Sequence, residues 1–157
     1  MENTLDSGSL EGSVNFNIYY EDTDLSGFVY HANYLKYFER AREHLIGIRF
    51  LADLKTRGFH FVVSDASIKY LYPAQHGDQL TIVSTASYSK SPAILFTQEA
   101  YVTTQSKSKL ATKAEITLAT LNLQNRPVRL PDFMLAHFAA LSPSIPSRDH
   151  EIATGTP

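Results

Sequence analysis

Polar and apolar residues alternate in the stretch SVNFNIYY near the start of the chain. Val14, Phe16, Ile18 and Tyr20 fall on one face, with polar Asn15 and Asn17 between them. Side chains of a strand point alternately to its two faces, so this period of two predicts a β-strand.

The period changes directly after a loop rich in Asp, Ser and Gly. Apolar residues now recur every three or four positions, which predicts an amphipathic helix from about Asn33 to Ile46 that ends at Gly47. The predicted apolar stripe consists of Tyr34, Leu35, Phe38, Ala41, Leu45 and Ile46. The segment RFLADLKTRG predicts a second, short helix.

The rest of the chain returns to the strand period and then closes with a helix. Four strands are predicted, in FHFVVSDASIKYLY, DQLTIVSTASYSK, AILFTQEAYVTT and KLATKAEITLATLNL, and a closing helix in RLPDFMLAHFAAL. Since short turn-like segments separate the four strands, we expect an antiparallel meander. The apolar stripe of the long helix needs cover, so we predict an α+β fold with this helix packed on the sheet.

Composition limits the function classes. The chain has 157 residues, a formal net charge of −2 and no cysteine. It lacks the basic excess of most nucleic-acid-binding proteins, and disulfides, thiolate metal sites and a cysteine nucleophile are excluded. Neither a signal peptide nor a transmembrane segment is predicted, and a cytoplasmic location is expected.

The chain is predicted to be one folded domain between two polar tails. Residues 1–12 and 142–157 are expected to be disordered, and residues 13–141 to form the domain.

The loop between the first strand and the long helix concentrates candidate chemistry. Glu21, Asp22 and Asp24 precede Gly27, and His31 lies where the helix begins. The first turn of a helix has N–H groups without intrahelical acceptors, which can stabilise an oxyanion. A carboxylate facing that turn is suited to acyl transfer or thioester hydrolysis.

Two other interpretations of this loop remain open. It can be a solvated bend, since Asp, Ser and Gly are common in turns. DTDLSGFVYHAN also matches part of a calcium-binding loop, but its twelfth position is Asn33 instead of Glu, and a strand precedes it. No serine-nucleophile elbow, phosphate-binding glycine loop or HExxH zinc motif occurs.

The stretch YYEDTDLSGFVYHANYLKYFERARE closely resembles the signature of the 4-hydroxybenzoyl-CoA thioesterase-like hotdog family. It is most similar to the Tol–Pal-associated acyl-CoA thioesterase branch, and YPAQHGDQL and NRPVRLP resemble further family features. The resemblance implies a hotdog fold, in which a five-stranded antiparallel sheet wraps around a long central helix. It also implies acyl-CoA hydrolysis without a metal or any cofactor beyond the CoA of the substrate.

The resemblance also assigns roles to residues. It implies that Asp24 attacks the thioester carbonyl or activates water, and that the backbone N–H of His31 polarises that carbonyl. Tyr20 and the His31 side chain are further catalytic candidates. Tyr30, Gly27 and Asn33 are the candidates for substrate binding, Gly27 through a turn with positive φ. Burial beside Phe28 or Tyr20 is expected to raise the pKa of Asp24.

Family members are dimers or tetramers with active sites between paired subunits, so the resemblance implies a homo-oligomer, for which a homotetramer built as a dimer of dimers is expected and a dimer is the alternative. Acyl carrier protein is an alternative carrier of the acyl group. A hotdog domain that binds acyl-CoA without hydrolysing it is the alternative from another functional class.

Overall fold

A computed structural model describes residues 6–105 and 107–142. Five strands and three α-helices lie in this part of the chain. In chain order they are β1 (Ser7–Asn17), α1 (Asn33–Ile46), α2 (Ile48–Thr56), β2 (Phe59–Tyr70), β3 (Gln79–Ser89), β4 (Ala93–Thr104), β5 (Lys107–Asn122) and α3 (Asp132–Leu141).

The strands form one antiparallel sheet in the order β1-β3-β4-β5-β2. The predicted α+β class and five-stranded sheet are confirmed, but the four-strand meander is wrong. Only β3, β4 and β5 form a meander, because β2 pairs with β5 at the far edge. Residues 71–78 carry the chain from that edge to β3, a longer path than the about two to five residues of a hairpin turn. Alternation of polar and apolar residues identifies a strand, but it does not show which other strand pairs with it.

Helix α1 lies against the sheet with bounds that match the prediction. Tyr37 and Phe38 are among its buried residues. The predicted stripe is wrong at Leu35, which is 43% exposed, because the buried face of α1 is centred on Tyr34, Phe38 and Ala41. The helix therefore presents its first turn at one end of the sheet, beside the loop that contains Asp24.

The prediction of a disordered segment over residues 1–12 is wrong from Ser7 onward, because β1 begins there and pairs with β3. Gly8 and Gly12 in this stretch leave room for neighbouring side chains to pack against the backbone of β1. A Cβ on Gly8 would lie 2.5 Å from the Tyr88 hydroxyl, and one on Gly12 would lie 2.9 Å from a methyl group of Leu45. Composition alone suggested disorder here, although these glycines allow close approach of side chains.

Helix α3 closes the described part of the chain. It packs against α2 through stacked Phe50 and His137 rings, and the hydroxyl of Ser142 donates to the Ser9 carbonyl. Residues 1–5 and 143–157, to which the predicted tails extend, lie outside the described residues. Among the helices that are described, none is both long and apolar enough to cross a membrane.

Candidate active site

The loop between β1 and α1 is held in place by Asp22. Its carboxylate accepts a hydrogen bond from the Tyr19 N–H at 2.8 Å. Its carbonyl oxygen accepts from the Tyr30 N–H at 2.9 Å and from the Asn33 side chain at 3.0 Å. Asp22 therefore joins the start of the loop to the start of the helix, the structural role expected of an Asp in a turn.

A tight turn presents the Asp24 carboxylate to solvent. The Gly27 N–H donates to the Asp24 carbonyl at 3.0 Å, and Gly27 has a φ of +79°. The predicted positive φ at this glycine is confirmed. One carboxylate oxygen of Asp24 accepts from both the N–H and the hydroxyl of Ser26.

These hydrogen bonds determine how Asp24 ionises. The Ser26 hydroxyl, followed by the Ser26 N–H, lowers the pKa of Asp24 below its ordinary value of 3.8, and the nearby His31 lowers it further. Burial raises the pKa of Asp24 by more than His31 lowers it, but by less than either Ser26 contact lowers it. The expectation of a raised pKa is therefore wrong for the single chain, since donors to the charged form outweigh desolvation.

The start of α1 supplies an available hydrogen-bond donor. The Asn33 N–H donates to the Tyr30 carbonyl at 2.8 Å. No atom in residues 6–105 and 107–142 accepts a hydrogen bond from the His31 N–H. A bound carbonyl oxygen can take this position, where the dipole of the helix favours negative charge.

Asp24 and His31 line the same cleft, which has a volume of about 370 Å³. One wall comes from the loop through Ser26 and Phe28, and the opposite wall from Tyr70 to Pro73. The Val29 N–H donates to the Ala74 carbonyl at 2.9 Å, which ties the two walls together. A carboxylate and the residue two positions before α1 therefore border the same small cleft, which has both apolar and polar lining residues.

A family model described as the thioesterase-like superfamily matches residues 19–138. The chain belongs to this superfamily.

Curated relatives agree with the thioesterase-like assignment. The chain is 37% identical over 125 residues to the acyl-CoA thioesterase YbgC of Haemophilus influenzae, a match that covers 77% of this chain and 89% of that protein. It is 31% identical over 124 residues to the acyl-CoA thioester hydrolase YbgC of Escherichia coli, covering 77% of this chain and 90% of that protein.

The fold of this thioesterase-like chain also has solved counterparts. The 4-hydroxybenzoyl-CoA thioesterase of Pseudomonas sp. strain CBS-3 superposes with a TM-score of 0.72 at 16% identity, covering 82% of this chain and 99% of that one. The fold is therefore the predicted hotdog fold, with α1 as its central helix.

The structure places the other predicted site residues of this thioesterase-like chain outside the cleft lining. Tyr20 is 81% exposed, with its ring 6.2 Å from that of His76. The Tyr30 ring packs 4.5 Å from the His31 ring. Gly27 allows the turn through its positive φ, and the Asn33 side chain donates to the Asp22 carbonyl, so both residues stabilise the loop that borders the cleft. The catalytic and substrate-binding roles of these residues remain predictions.

Sequence reasoning missed several residues of the cleft, and two of them form hydrogen bonds to Asp24 and His31. Ser26 contacts Asp24 directly, and its position two residues after an Asp in a turn is a recognisable signal for such a contact. The Tyr70 hydroxyl donates to the His31 carbonyl at 2.9 Å. Tyr70 carries no local signal, because it lies 39 residues from His31 in the chain.

Proposed function

We propose that this protein is an acyl-CoA thioesterase, which hydrolyses an acyl-CoA to the free acid and CoA. The proposal rests mainly on the Asp24 carboxylate and the His31 N–H, which line one cleft. The YbgC relatives, named as acyl-CoA thioesterases, support the choice of substrate class.

The geometry accommodates two routes for Asp24. As a nucleophile, its carboxylate attacks the thioester carbonyl, CoA leaves as the thiolate, and water hydrolyses the resulting anhydride. As a general base, it takes a proton from a water molecule that attacks the same carbonyl. In both routes negative charge develops on the carbonyl oxygen. The His31 N–H is suited to stabilise that charge, a contribution of about 3 kcal/mol for one well-placed donor.

The lowered pKa of Asp24 is compatible with either route, because the charged carboxylate is the reactive form in both. The calcium interpretation is less well supported. Strand β1 and a single 3₁₀ turn enter the loop instead of a helix, and the carboxylates of Asp22 and Asp24 already accept backbone N–H groups of the loop.

Homo-oligomerisation is part of the proposal. Within residues 6–105 and 107–142, strand β2 pairs with β5 on one side only, and Val62 and Val63 are exposed along it. A long unpaired edge strand is an aggregation hazard unless another strand covers it. We infer that two copies pair through β2 in antiparallel orientation.

This pairing would complete the substrate site. It would bring the Tyr70 end of one β2 beside the Phe59 end of the other. A cavity of about 380 Å³ lies at that second end. Its lining combines apolar residues such as Leu54, Phe59 and Phe61 with charged residues at Glu39, Arg42, Glu43 and Lys55. The acyl group would then extend from the Asp24 cleft of one subunit into this cavity of its partner. A homotetramer would require a second, separate interface, and light scattering of the purified protein distinguishes dimer from tetramer. A cytoplasmic location belongs to the same proposal, and cell fractionation tests it.

The direct test is thiol release from a panel of acyl-CoAs, from acetyl to palmitoyl and including benzoyl. We expect the wild type to release CoA and Asp24→Asn to be at least about a hundredfold slower, which corresponds to roughly 2.7 kcal/mol of barrier. Glu21→Gln is the matched control, since it removes an exposed carboxylate of the same loop. Equal rates for the wild type and Asp24→Asn would exclude the catalytic assignment.

The same assay separates the alternatives. Faster release from acyl carrier protein than from CoA would favour the carrier-protein thioesterase. Binding of acyl-CoA without hydrolysis, unaffected by Asp24→Asn, would favour the binding module.

A further inference from the structure

The hydroxyl group of Tyr70 contacts His31, a residue of the cleft that lies just before α1. Tyr70 is the last residue of β2, and its hydroxyl donates to the carbonyl oxygen of His31 at 2.9 Å. We propose that Tyr70 is a positioning residue for thioester hydrolysis, which holds residue 31 so that its N–H can point at the substrate carbonyl. The inference rests on the proposed function.

The His31 carbonyl is open to such a donor because residue 31 precedes α1 and its carbonyl lies outside the hydrogen-bond ladder of the helix. In a regular helix the Leu35 N–H would bond to the carbonyl of residue 31. Here the Leu35 N–H donates to the Ala32 carbonyl instead, at 3.2 Å. The Tyr70 hydroxyl takes the place of the missing helical donor.

The Tyr70 ring restrains the same residue from a second direction. It packs edge-to-face on the His31 ring, with the centroids 6.2 Å apart and the planes at 88°. It also meets the buried Tyr34 ring at 5.8 Å. Residue 31 is therefore held at both its carbonyl and its side chain, which leaves its N–H little freedom to turn away from the cleft.

The hydrogen bond has an electronic consequence as well. The His31 carbonyl belongs to the same peptide group as the Ala32 N–H, so a donor at that carbonyl polarises the group. Burial raises the pKa of Tyr70 above its ordinary value of 10.0, so the hydroxyl remains a proton donor at neutral pH. Removal of this hydroxyl should loosen residue 31, whose N–H is the proposed donor, and weaken the polarisation of the neighbouring Ala32 N–H, while the cleft keeps its shape.

The test compares Tyr70→Phe with Tyr101→Phe. Both variants remove one hydroxyl and keep the ring, but Tyr101 bonds to Glu99 on β4 and lies outside the cleft. For Tyr70→Phe we expect kcat to fall about tenfold and KM to stay within about twofold, because the lost interaction acts in the transition state. Tyr101→Phe should leave both constants within about twofold of the wild-type values.

Three kinetic results would overturn the inference. These are a kcat of Tyr70→Phe within about twofold of wild type, a change confined to KM, and an equal loss in Tyr101→Phe.

A second measurement separates this inference from the proposed function. If the wild type releases no thiol, the proposed function is wrong, and amide chemical shifts then test the hydrogen bond alone. The Ala32 amide resonance should move in Tyr70→Phe and remain in place in Tyr101→Phe. An unmoved Ala32 resonance would show that Tyr70 does not hold this peptide group.

Discussion

Replacement of Gln98 by leucine should test how α1 is fastened to the sheet. Gln98 lies on β4, is fully buried, and bonds to two elements at once. Its carbonyl oxygen accepts from the Arg42 guanidinium at 2.9 Å. Its amide nitrogen donates to the Phe38 carbonyl at 3.0 Å and to the Ser84 hydroxyl at 2.8 Å. Leucine has nearly the same volume, so Gln98→Leu removes these bonds without opening a large cavity.

The expected cost follows from the groups left behind. Arg42 is only 7% exposed, and a hydrogen bond to a buried charged group contributes about 1.5–3 kcal/mol. The bonds to Phe38 and Ser84 contribute about 1 kcal/mol each. The greater hydrophobicity of leucine offsets about 1 kcal/mol of the total. We therefore expect Gln98→Leu to lower the free energy of unfolding by about 3 kcal/mol, or the melting temperature by about 6–12 °C.

Urea unfolding followed by far-UV circular dichroism measures this change, at one fixed protomer concentration because oligomerisation adds to stability. Arg42→Met is the matched second substitution, and it is made both alone and together with Gln98→Leu. Since it removes the charge that Gln98→Leu leaves unpaired, the double variant should be at least about 1 kcal/mol more stable than the sum of the single effects predicts. A loss below about 1 kcal/mol in Gln98→Leu, or strict additivity, would refute the reasoning.

Two further variants test the site and its assembly. Ser26→Ala removes the strongest contact that lowers the pKa of Asp24, so the pKa of this carboxylate should rise. Activity is lost as the carboxylate is protonated, so the acid limb of the kcat/KM profile should move to higher pH. An unchanged profile would show that Asp24 does not set this limb. Val63→Asp places a charge on the unpaired edge of β2, so light scattering should show dissociation into protomers together with loss of thiol release, and an intact oligomer would exclude this edge as the interface.

Much of the fold could be predicted because its signals are local. The bounds of α1 follow from the spacing of Tyr34, Phe38 and Ala41 and from Gly47, whose φ of +102° ends the helix. The buried face of β3 follows in the same way from alternation over residues 80–88. The spacing of apolar residues within one element predicts which face of that element is buried, and this prediction needs no information about the rest of the chain.

The partner of β2 could not be predicted in this way. Apolar residues recur along β2 as along β3, apart from an irregularity between Val63 and Asp65, but the sequence does not record that β1 occupies the other side of β3. The ordered start of β1 around Gly8 could not be predicted for a related reason. The lack of a side chain at Gly8 matters because the Tyr88 hydroxyl lies against it, and that contact joins two strands far apart in sequence.

The same division between local and distant contacts explains the site. Asp24 and His31 lie in the same loop before α1, so their proximity could be predicted from the order of the residues, and both line one cleft. Tyr70 reaches His31 only because β2 pairs with β5, where Tyr70 lies opposite Thr112 and the Leu71 N–H bonds to the Ala111 carbonyl. The residues proposed for the chemistry therefore lie in a short motif, whereas the contact proposed to align them comes from an edge strand whose partner the sequence does not reveal. We propose that β2 also joins two copies of the chain. The contact that positions His31 and the contact that completes the acyl site would then belong to the same strand. A change in assembly should therefore alter the turnover number as well as substrate binding.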